Sequence, residues 1–246
     1  MLAAGCAAHP AAGPAPNRLH AEVLQAIPHD TTAFTEGLEL TDGVLYEGTG
    51  LKGSSTLRVV DPATGQVRQQ TALPKEFFGE GITVTGPNVW QLTWQDGVAI
   101  QRDRATLAER RRVNYTGEGW GLCLDAAANR LVMSDGTDRL TFRDPDTFQQ
   151  TGSVRVAMAG QPVTRLNELE CAHGAVFANV WQTDTVVRID PASGVVTDEI
   201  NLAGLLPAAD RAHADVLNGI AAIPGTDEFL VTGKYWPQMY RVRFVA

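Results

Sequence analysis

Short apolar runs, bounded by turn residues, recur along most of the chain. Five of them share one pattern: a small or apolar pair, then a polar or aromatic residue, a small or acidic residue, and an aliphatic residue. They lie at residues 34–38, 78–82, 118–122, 166–169 and 217–220. Equivalent positions in these segments are 44, 40, 47 and 51 residues apart. That period is typical of a four-stranded β-propeller blade.

The same succession of strands follows each repeated segment. Second strands are predicted at residues 44–47, 89–92, 131–134, 176–179 and 229–232. Third strands are predicted at residues 57–60, 98–100, 140–142, 186–189 and 240–244. Turns that begin with Asp-Pro follow three of these, at 61–65, 144–147 and 190–194, because Asp caps such a turn and Pro presets its φ. A polar fourth strand, such as 195–200, is predicted in the first four repeats.

The fifth repeat supplies only three strands, and the missing one is predicted near the N-terminus. Residues 20–27 alternate between apolar and polar side chains, as a half-buried strand does. Pairing this segment with the last repeat would close a ring and remove an exposed strand edge. We therefore predict one all-β domain, a five-bladed β-propeller over residues 18–246. A β-sandwich is the alternative, but it does not explain the fivefold recurrence.

Composition and charge narrow the class of protein. The 246 residues are 44% hydrophobic and 20% charged, which is ordinary for a globular chain. The net charge is −8, and the only dense basic run is Arg110–Arg112, so we expect no nucleic-acid partner. No stretch of 18 apolar residues is present, so no spanning helix is predicted. Cys6, Cys123 and Cys171 are too few for a disulfide scaffold, and the sequence leaves open whether Cys123 and Cys171 pair.

The N-terminal segment is a separate region. Residues 1–17 are rich in Ala, Pro and Gly without any period, so we expect a disordered tail. Within it, the segment LAAGC at 2–6 resembles the end of a bacterial lipoprotein signal, in which the cysteine is lipidated. The resemblance implies a lipid anchor at Cys6 and a periplasmic or cell-envelope localisation. A chance match in an Ala/Gly-rich segment is the alternative, since the basic and apolar stretches expected upstream are absent from the sequence.

Chemistry-bearing residues recur at equivalent positions of the repeats. In a propeller the first strand of each blade lines the centre, so one position per repeat should face a common volume. Those positions hold Glu36, Glu80, Trp120, Asn167 and Asn218. A second ring, at the ends of the second strands, holds Gly50, Trp94, Gly136, Trp181 and Lys234. Each residue alone suits a structural role, but together they predict a pocket with aromatic walls and a few polar groups.

The groups in this pocket suit proton transfer. No Gly-x-Ser-x-Gly nucleophile motif, no histidine pair at metal spacing and no phosphate-binding loop occurs in the sequence. A glutamate walled by tryptophans is desolvated, which raises its pKa towards the range of a general acid/base. An amide and a lysine are able to stabilise an oxyanion. We expect chemistry at an electrophilic carbonyl, without a cofactor or metal.

Seven motifs in series resemble the plant-type glutaminyl-peptide cyclotransferases, which also occur in bacteria. The motifs are FTEGL at 34–38, FGEG at 78–81, GWGL at 119–122, LNELE at 166–170, ANVWQTD at 178–184, LNGI at 217–220 and VTGK at 231–234. The resemblance runs from about residue 20 to the C-terminus. It implies a five-bladed propeller and an acyltransferase that converts N-terminal glutamine of peptides or proteins to pyroglutamate with release of ammonia. We expect it to act as a monomer.

The resemblance also implies roles for individual residues. Glu80 is implied as the group that transfers the proton, and our own hypothesis places Lys234 and Asn167 at the oxyanion. The resemblance assigns to the pocket Phe34, Glu36, Phe78, Trp94, Trp120, Asn167, Trp181 and Lys234. We expect Phe34, Glu36, Phe78, Trp94, Trp120 and Trp181 to bind substrate, and also Asn218, because of its ring position. The chain departs from the plant-type pattern at Glu36, where that pattern has glutamine. A second carboxylate in the cavity would raise the pKa of Glu80 by repulsion, or attract a substrate ammonium.

Two further functions are compatible with the same residues. Glu36, Glu80, Asn167 and Asn218 are oxygen donors around one axis, which would suit Ca²⁺ in a propeller lactonase or related hydrolase. That function predicts loss of activity with a chelator. A propeller without enzymatic activity is the third hypothesis, and it predicts a broad binding surface and a channel without a role.

Overall fold

A computed structural model describes residue 13 and residues 15–246. Cys6 and nearly all of the predicted N-terminal tail lie outside the described residues. The described residues form strands and turns only, so none of their segments is a helix long and apolar enough to cross a membrane. The all-β class predicted from the sequence is therefore confirmed.

The strands follow the order that the repeats predicted. The first strands of the repeats are β2 (Thr35–Thr41), β6 (Gly79–Thr85), β10 (Leu122–Asp125), β16 (Leu166–Ala172) and β20 (Leu217–Ala222). The second strands are β3 (Val44–Thr49), β7 (Asn88–Thr93), β11 (Arg130–Met133), β17 (Ala175–Val180) and β21 (Glu228–Gly233). The third strands are β4 (Thr56–Val60), β8 (Val98–Asp103), β12 (Arg139–Arg143), β18 (Thr185–Ile189) and β22 (Gln238–Val245).

Polar fourth strands complete four of the repeats. They are β5 (Val67–Ala72), β9 (Glu109–Asn114), β13 (Gln150–Arg155) and β19 (Val196–Asn201). The strands β2–β5, β6–β9 and β10–β13 form three separate antiparallel sheets. A short hairpin of two-residue strands, β14 (Ala157–Met158) and β15 (Gln161–Pro162), lies between the third and fourth repeats.

The N-terminal strand joins the last two repeats. β1 (Asn17–Pro28) pairs antiparallel with β22, so that Ala21 faces Phe244 and Ala26 faces Tyr240 across the pair. At its start β1 also pairs parallel with β19. The fourth and fifth repeats therefore share one eight-stranded sheet, in the order β16-β17-β18-β19-β1-β22-β21-β20. The predicted pairing of the segment at 20–27 with the last repeat is present.

The first strands contact one another in a closed cycle. β2 contacts β6 and β20, β10 contacts β6 and β16, and β16 contacts β20. Small residues permit this approach: a Cβ at Gly37 would lie 2.7 Å from the backbone nitrogen of Ile82, and one at Gly121 would lie 2.1 Å from the carbonyl oxygen of Asn167. In the first three repeats the glycine after the ring position therefore packs on the backbone of the next repeat. In the fourth repeat this residue is Glu168, and in the fifth a Cβ at Gly219 would meet the side chains of Thr232 and Thr35.

Apolar side chains fill the spaces between neighbouring sheets. Trp90, on β7, is fully buried, its ring centroid is 4.9 Å from that of Phe148 in the third repeat, and its Nε1 donates to the carbonyl oxygen of Pro145 at 3.0 Å. Cys123 on β10 and Cys171 on β16 form a disulfide, with Cα atoms 5.4 Å apart. This bond answers the pairing question that the sequence left open. It ties β16, which carries Asn167, to β10, which begins two residues after Trp120.

Candidate active site

A cavity of about 410 Å³ lies where the first strands begin and the second strands end. Nine of the ten predicted site residues line it: Phe34, Glu36, Phe78, Glu80, Trp94, Trp120, Asn167, Trp181 and Lys234. The tenth, Asn218, does not line it. Trp120 lies just before β10 rather than within it, but it still reaches the cavity wall.

Five of the residues that line the cavity are aromatic, and their rings contact one another edge to face. The ring centroids of Phe34 and Phe78 are 6.0 Å apart, those of Phe78 and Trp94 are 5.6 Å apart, and those of Trp120 and Trp181 are 5.5 Å apart. Such contacts give the wall a fixed shape, because each ring restricts the rotation of its neighbour.

Two glycines of the second ring make room for these aromatic side chains. A Cβ at Gly50 would lie 2.4 Å from Cε1 of Phe78, and one at Gly136 would lie 2.7 Å from Cζ2 of Trp120. Gly136 also has a φ of 78°, which other residues rarely adopt. The small members of the second ring thus leave space for aromatic side chains of the cavity wall.

Glu118 fixes two of the tryptophans from behind. Its Oε2 accepts hydrogen bonds from Nε1 of Trp94 and from Nε1 of Trp120, both at 2.9 Å, and its Oε1 accepts one from Gln95 at 3.0 Å. Burial alone would raise the pKa of Glu118, but the hydrogen bonds from Trp120, Gln95 and Trp94 outweigh it and lower the pKa. The carboxylate therefore stays ionised and keeps both indole rings in place.

Glu36 and Lys234 form a buried ion pair on the cavity wall. Nζ of Lys234 donates to Oε1 of Glu36 at 2.6 Å and lies 4.3 Å from the ring centroid of Phe34. The other oxygen, Oε2, accepts from Nδ2 of Asn218 at 3.0 Å. Burial raises the pKa of Glu36 to about 7, although the charge and hydrogen bond of Lys234 act in the opposite direction.

Glu80 lies beside this pair and is the less satisfied of the two carboxyls. Its side chain is 5% exposed, and its Oε2 has no hydrogen-bond partner among the described residues. Burial and the negative charge of Glu36 raise the pKa of Glu80 well above its ordinary value, although the positive charge of Lys234 acts in the opposite direction. A carboxyl with a raised pKa and an unpaired oxygen in a cavity is suited to accept and return a proton.

The two asparagines that the sequence placed in the central ring differ in position. Asn167 lines the cavity, and its buried Oδ1 has no hydrogen-bond partner in the described part of the chain. Asn218 is fully buried behind the wall, where Nδ2 donates to Glu36 and to the carbonyl oxygen of Thr35 at 3.0 Å. Asn218 therefore acts on Glu36 and does not contact the contents of the cavity.

Several residues of the site were not predicted. Gln182, Asp215 and Val216 complete the lining, and Glu118 lies behind it. Glu118 falls inside the third repeated segment, two residues before Trp120, so a search for acids beside the ring positions would have found it. Gln182 follows the ring residue Trp181, as Gln95 follows Trp94, whereas Asp215 and Val216 lie in the long connection between β19 and β20.

The donor set does not favour the calcium alternative. Glu36, which would have to be a ligand, already has one oxygen on the ammonium of Lys234 and the other on an amide NH₂ group. Asn218 turns its NH₂ group, rather than its oxygen, towards Glu36. Among residue 13 and residues 15–246, no group of three or more His, Cys, Asp or Glu residues is arranged to hold a metal ion.

The fold and the site define an all-β protein with an aromatic cavity and a coupled pair of buried carboxyls. A family model described as "Glutamine cyclotransferase" matches residues 1–244. The chain belongs to the glutamine cyclotransferase family.

Individual proteins of known sequence or structure are also similar to this chain. A curated glutaminyl-peptide cyclotransferase from Arabidopsis thaliana is 39% identical over 228 residues, which cover 90% of this chain and 70% of the plant protein. The crystal structure of Myxococcus xanthus glutaminyl cyclase superposes with a TM-score of 0.86 at 39% identity, covering 93% of this chain and 98% of that one. Kuenenia stuttgartiensis hydrazine synthase shares the fold alone, with a TM-score of 0.50 at 14% identity over 83% of this chain and 56% of that one.

Proposed function

We infer that this chain is a glutaminyl-peptide cyclotransferase that converts the N-terminal glutamine of peptides or proteins to pyroglutamate and releases ammonia. Membership of the family and the likeness to the two cyclases support this function. The observation that carries the chemistry is Glu80, a buried carboxyl with an oxygen that has no hydrogen-bond partner among the described residues, in a cavity walled by aromatic rings.

Binding favours ring closure by bringing the reacting atoms of the glutamine together. The aromatic walls exclude water and hold the aliphatic part of the side chain, so that the α-amine lies close to the γ-carbonyl carbon. Fixing two reacting groups in one cavity removes much of the entropic cost of their encounter. The rigid edge-to-face contacts of Phe34, Phe78 and Trp94 support this role.

Glu80 carries one proton through the reaction. The neutral α-amine attacks the γ-carbonyl, a carbon–nitrogen bond forms, and the carboxylate of Glu80 takes the proton that the amine loses. The bond between the same carbon and the amide nitrogen then breaks, and Glu80 returns the proton to the departing nitrogen, which leaves as ammonia. The raised pKa of Glu80 suits both transfers, because the carboxyl holds the proton without binding it irreversibly.

Lys234 and Asn167 stabilise the negative charge on the carbonyl oxygen in the intermediate. An ammonium has three donors, and Lys234 uses one on Glu36, so others remain for the oxyanion. The Nδ2 group of Asn167 is the second donor in the cavity. Donors fixed in place before the reaction stabilise such a charge more than water does.

An assay of ammonia release tests the function. The full chain is mixed with a Gln-Xaa dipeptide, with and without a metal chelator. We expect ammonia and a pyroglutamyl product in equal amounts in both samples. Ammonia that disappears with the chelator would favour a metal-dependent reaction, and no ammonia in either sample would refute the function.

We further propose that the strands form a five-bladed β-propeller over residues 18–246, in which β1 completes the fifth blade. The closed cycle of contacts among the five first strands supports this architecture, as does the four-stranded composition of the repeats. An experimental structure that shows a gap between any two neighbouring first strands would contradict it.

We also propose that the protein acts as a monomer in the cell envelope or periplasm, attached by a lipid at Cys6. The motif LAAGC supports the anchor, and the disulfide between Cys123 and Cys171 supports an oxidising compartment. Fractionation of cells that express the natural gene tests the location, and conversion of Cys6 to Ser should release the protein from the membrane fraction. Sedimentation of the released protein tests the monomer.

A further inference from the structure

A second cavity, of about 320 Å³, lies next to the aromatic one. Three residues, Gln182, Asp215 and Val216, line both cavities and form a wall that the two have in common. A peptide whose N-terminal glutamine occupies the first cavity must continue from its α-carbonyl group past this shared wall or into solvent. The second cavity thus lies within reach of the next residue of the substrate.

The second cavity is built by the longest connection between a fourth strand and the next first strand in the described part of the chain. Residues 202–216 join β19 to β20, whereas the connections before β2 and β6 span residues 29–34 and 73–78. Long connections without strands of their own are commonly functional.

This connection is packed rather than loose. Leu205 and Leu206 are buried in the same apolar cluster as Trp236. The backbone of Leu202 donates to the carbonyl oxygen of Asp184 at 2.8 Å, and that of Asp215 donates to the carbonyl oxygen of Lys234, also at 2.8 Å. Both ends of the connection are therefore attached to neighbouring strands, and the cavity exists before any ligand binds.

The charges on the wall differ from those of the aromatic cavity. Asp184 and Asp215 contribute two carboxylates and Arg211 contributes one guanidinium, so the wall carries an excess of one negative charge. Asp184 is half-buried, and Asp215 and Arg211 are exposed. Such a wall favours a cationic side chain over an anionic one, with the moderate strength of partly exposed charges.

We propose that the second cavity binds the residue that follows the N-terminal glutamine, and that its excess of carboxylates selects lysine or arginine at that position. This inference rests on the proposed function, because it assigns the second residue of the same substrate.

The test compares three peptides that differ only at the second residue: Gln-Lys-Gly, Gln-Ala-Gly and Gln-Glu-Gly, each with an amidated C-terminus. At low ionic strength, kcat/KM for the Lys peptide should exceed that for the Glu peptide by about threefold, with the Ala peptide between them. The ratio should fall towards one at high salt, because salt screens exposed charges.

Two variants should move this ratio in opposite directions. Asp184→Asn removes a carboxylate and should lower the preference for Lys, whereas Arg211→Gln removes the cation and should raise it. Asp42→Asn is the matched control, because Asp42 lies in the turn between β2 and β3, at the far ends of these strands from the cavity. Its side chain is 77% exposed, and the control should keep the wild-type ratio.

Glutamine amide, which has no second residue, separates failure of this inference from failure of the function. If the wild type releases ammonia from glutamine amide but shows a Lys/Glu ratio of one, or if the two variants do not move the ratio in opposite directions, the second cavity does not select the next residue. If neither glutamine amide nor any peptide yields ammonia, the proposed function fails, and this inference fails with it.

Discussion

Two buried carboxyls, Glu80 on β6 and Glu168 on β16, lie on the first strands of different repeats and differ in what their oxygens contact. Glu80, in the cavity, has an oxygen without a partner among the described residues. Glu168, deeper between the strands, accepts hydrogen bonds from the backbone nitrogens of Leu38 at 3.2 Å and Ile220 at 2.8 Å. Burial raises the pKa of both groups well above the ordinary value.

The comparison teaches that a raised pKa does not by itself identify a reactive carboxyl. Glu168 uses its oxygens to connect β16 with β2 and β20, in the one repeat that lacks a glycine after the ring position. Glu80 has an oxygen to spare and faces a cavity. The reactive carboxyl differs from the structural one because it has an oxygen without a hydrogen-bond partner among the described residues and lies next to a cavity.

The largest expected effect is on catalysis. Glu80→Gln should lower kcat about 1,000-fold, because the amide cannot take the proton from the amine. Its melting temperature should stay close to that of the wild type, because the amide has nearly the same shape as the carboxyl and burial disfavours the charge that the substitution removes. Ammonia release and thermal denaturation measure the two quantities. A Glu80→Gln protein that keeps wild-type kcat would refute the role of Glu80.

Glu168→Gln should show the opposite result. The new NH₂ group would face one of the two backbone N–H donors, so unfolding should become easier by about 1–3 kcal/mol. For a chain of this size that lowers the melting temperature by roughly 2–10 °C. Ammonia release per folded molecule should stay near the wild-type value. Equal stability of the variant and the wild type would show that the backbone contacts of Glu168 do not support the fold.

The pH dependence tests the coupling of the two cavity carboxyls. In the wild type, kcat/KM should rise with pH as the pair loses its proton, because burial raises the pKa of Glu36 to about 7 and raises that of Glu80 well above its ordinary value. Glu36→Gln removes the like charge, so the pKa of Glu80 should fall and the acid limb of the pH–rate profile should move to lower pH.

Lys234→Met is the counterpart of that variant. It removes the cation that lowers the pKa of Glu80, so the acid limb should move to higher pH. Rate profiles between pH 5 and 9 measure both shifts. Shifts of the same sign in the two variants would contradict the proposed coupling.

The smallest expected effect is on substrate binding, after replacement of Glu118, which accepts hydrogen bonds from Trp94 and Trp120. Glu118→Ala removes the acceptor of two indole N–H groups, so KM should rise about fivefold, with a smaller change in kcat. Glu118→Gln keeps one carbonyl acceptor and should restore part of the loss. The fluorescence of the tryptophans should change in the Ala variant, which a purely structural loss elsewhere would not cause. A KM for Glu118→Ala equal to that of the wild type would remove its positioning role.

The repeats predicted most of the fold because they record the position of each strand along the chain. All five first strands begin within a few residues of the predicted segments, and β1 pairs with β22 as its alternation indicated. The same spacing placed Glu36, Glu80 and Asn167 in one volume. The place of a residue within its repeat determines its place in the sheet. Its place in the sheet in turn determines whether its side chain points to the centre of the molecule.

What the repeats could not predict depends on contacts across the channel and on loops. Asn218 occupies a ring position but is turned towards Glu36, because Lys234 leaves one oxygen of that carboxyl in need of a donor. Residues 202–216 contribute to the walls of both cavities, and the other repeats have no equivalent of this long connection. The periodicity of the sequence therefore could not predict their role. The disulfide between Cys123 and Cys171 required the distance between two strands, which sequence spacing does not give.

The position of β1 has a consequence for how the protein is made. Its partners, β19 and β22, begin at Val196 and Gln238, so the earliest strand to be synthesised pairs with some of the last. During translation, this strand waits without a partner while the first three sheets acquire all their strands. The eight-stranded sheet can therefore close only after residues 238–245 have been synthesised, later than every strand of the three four-stranded sheets.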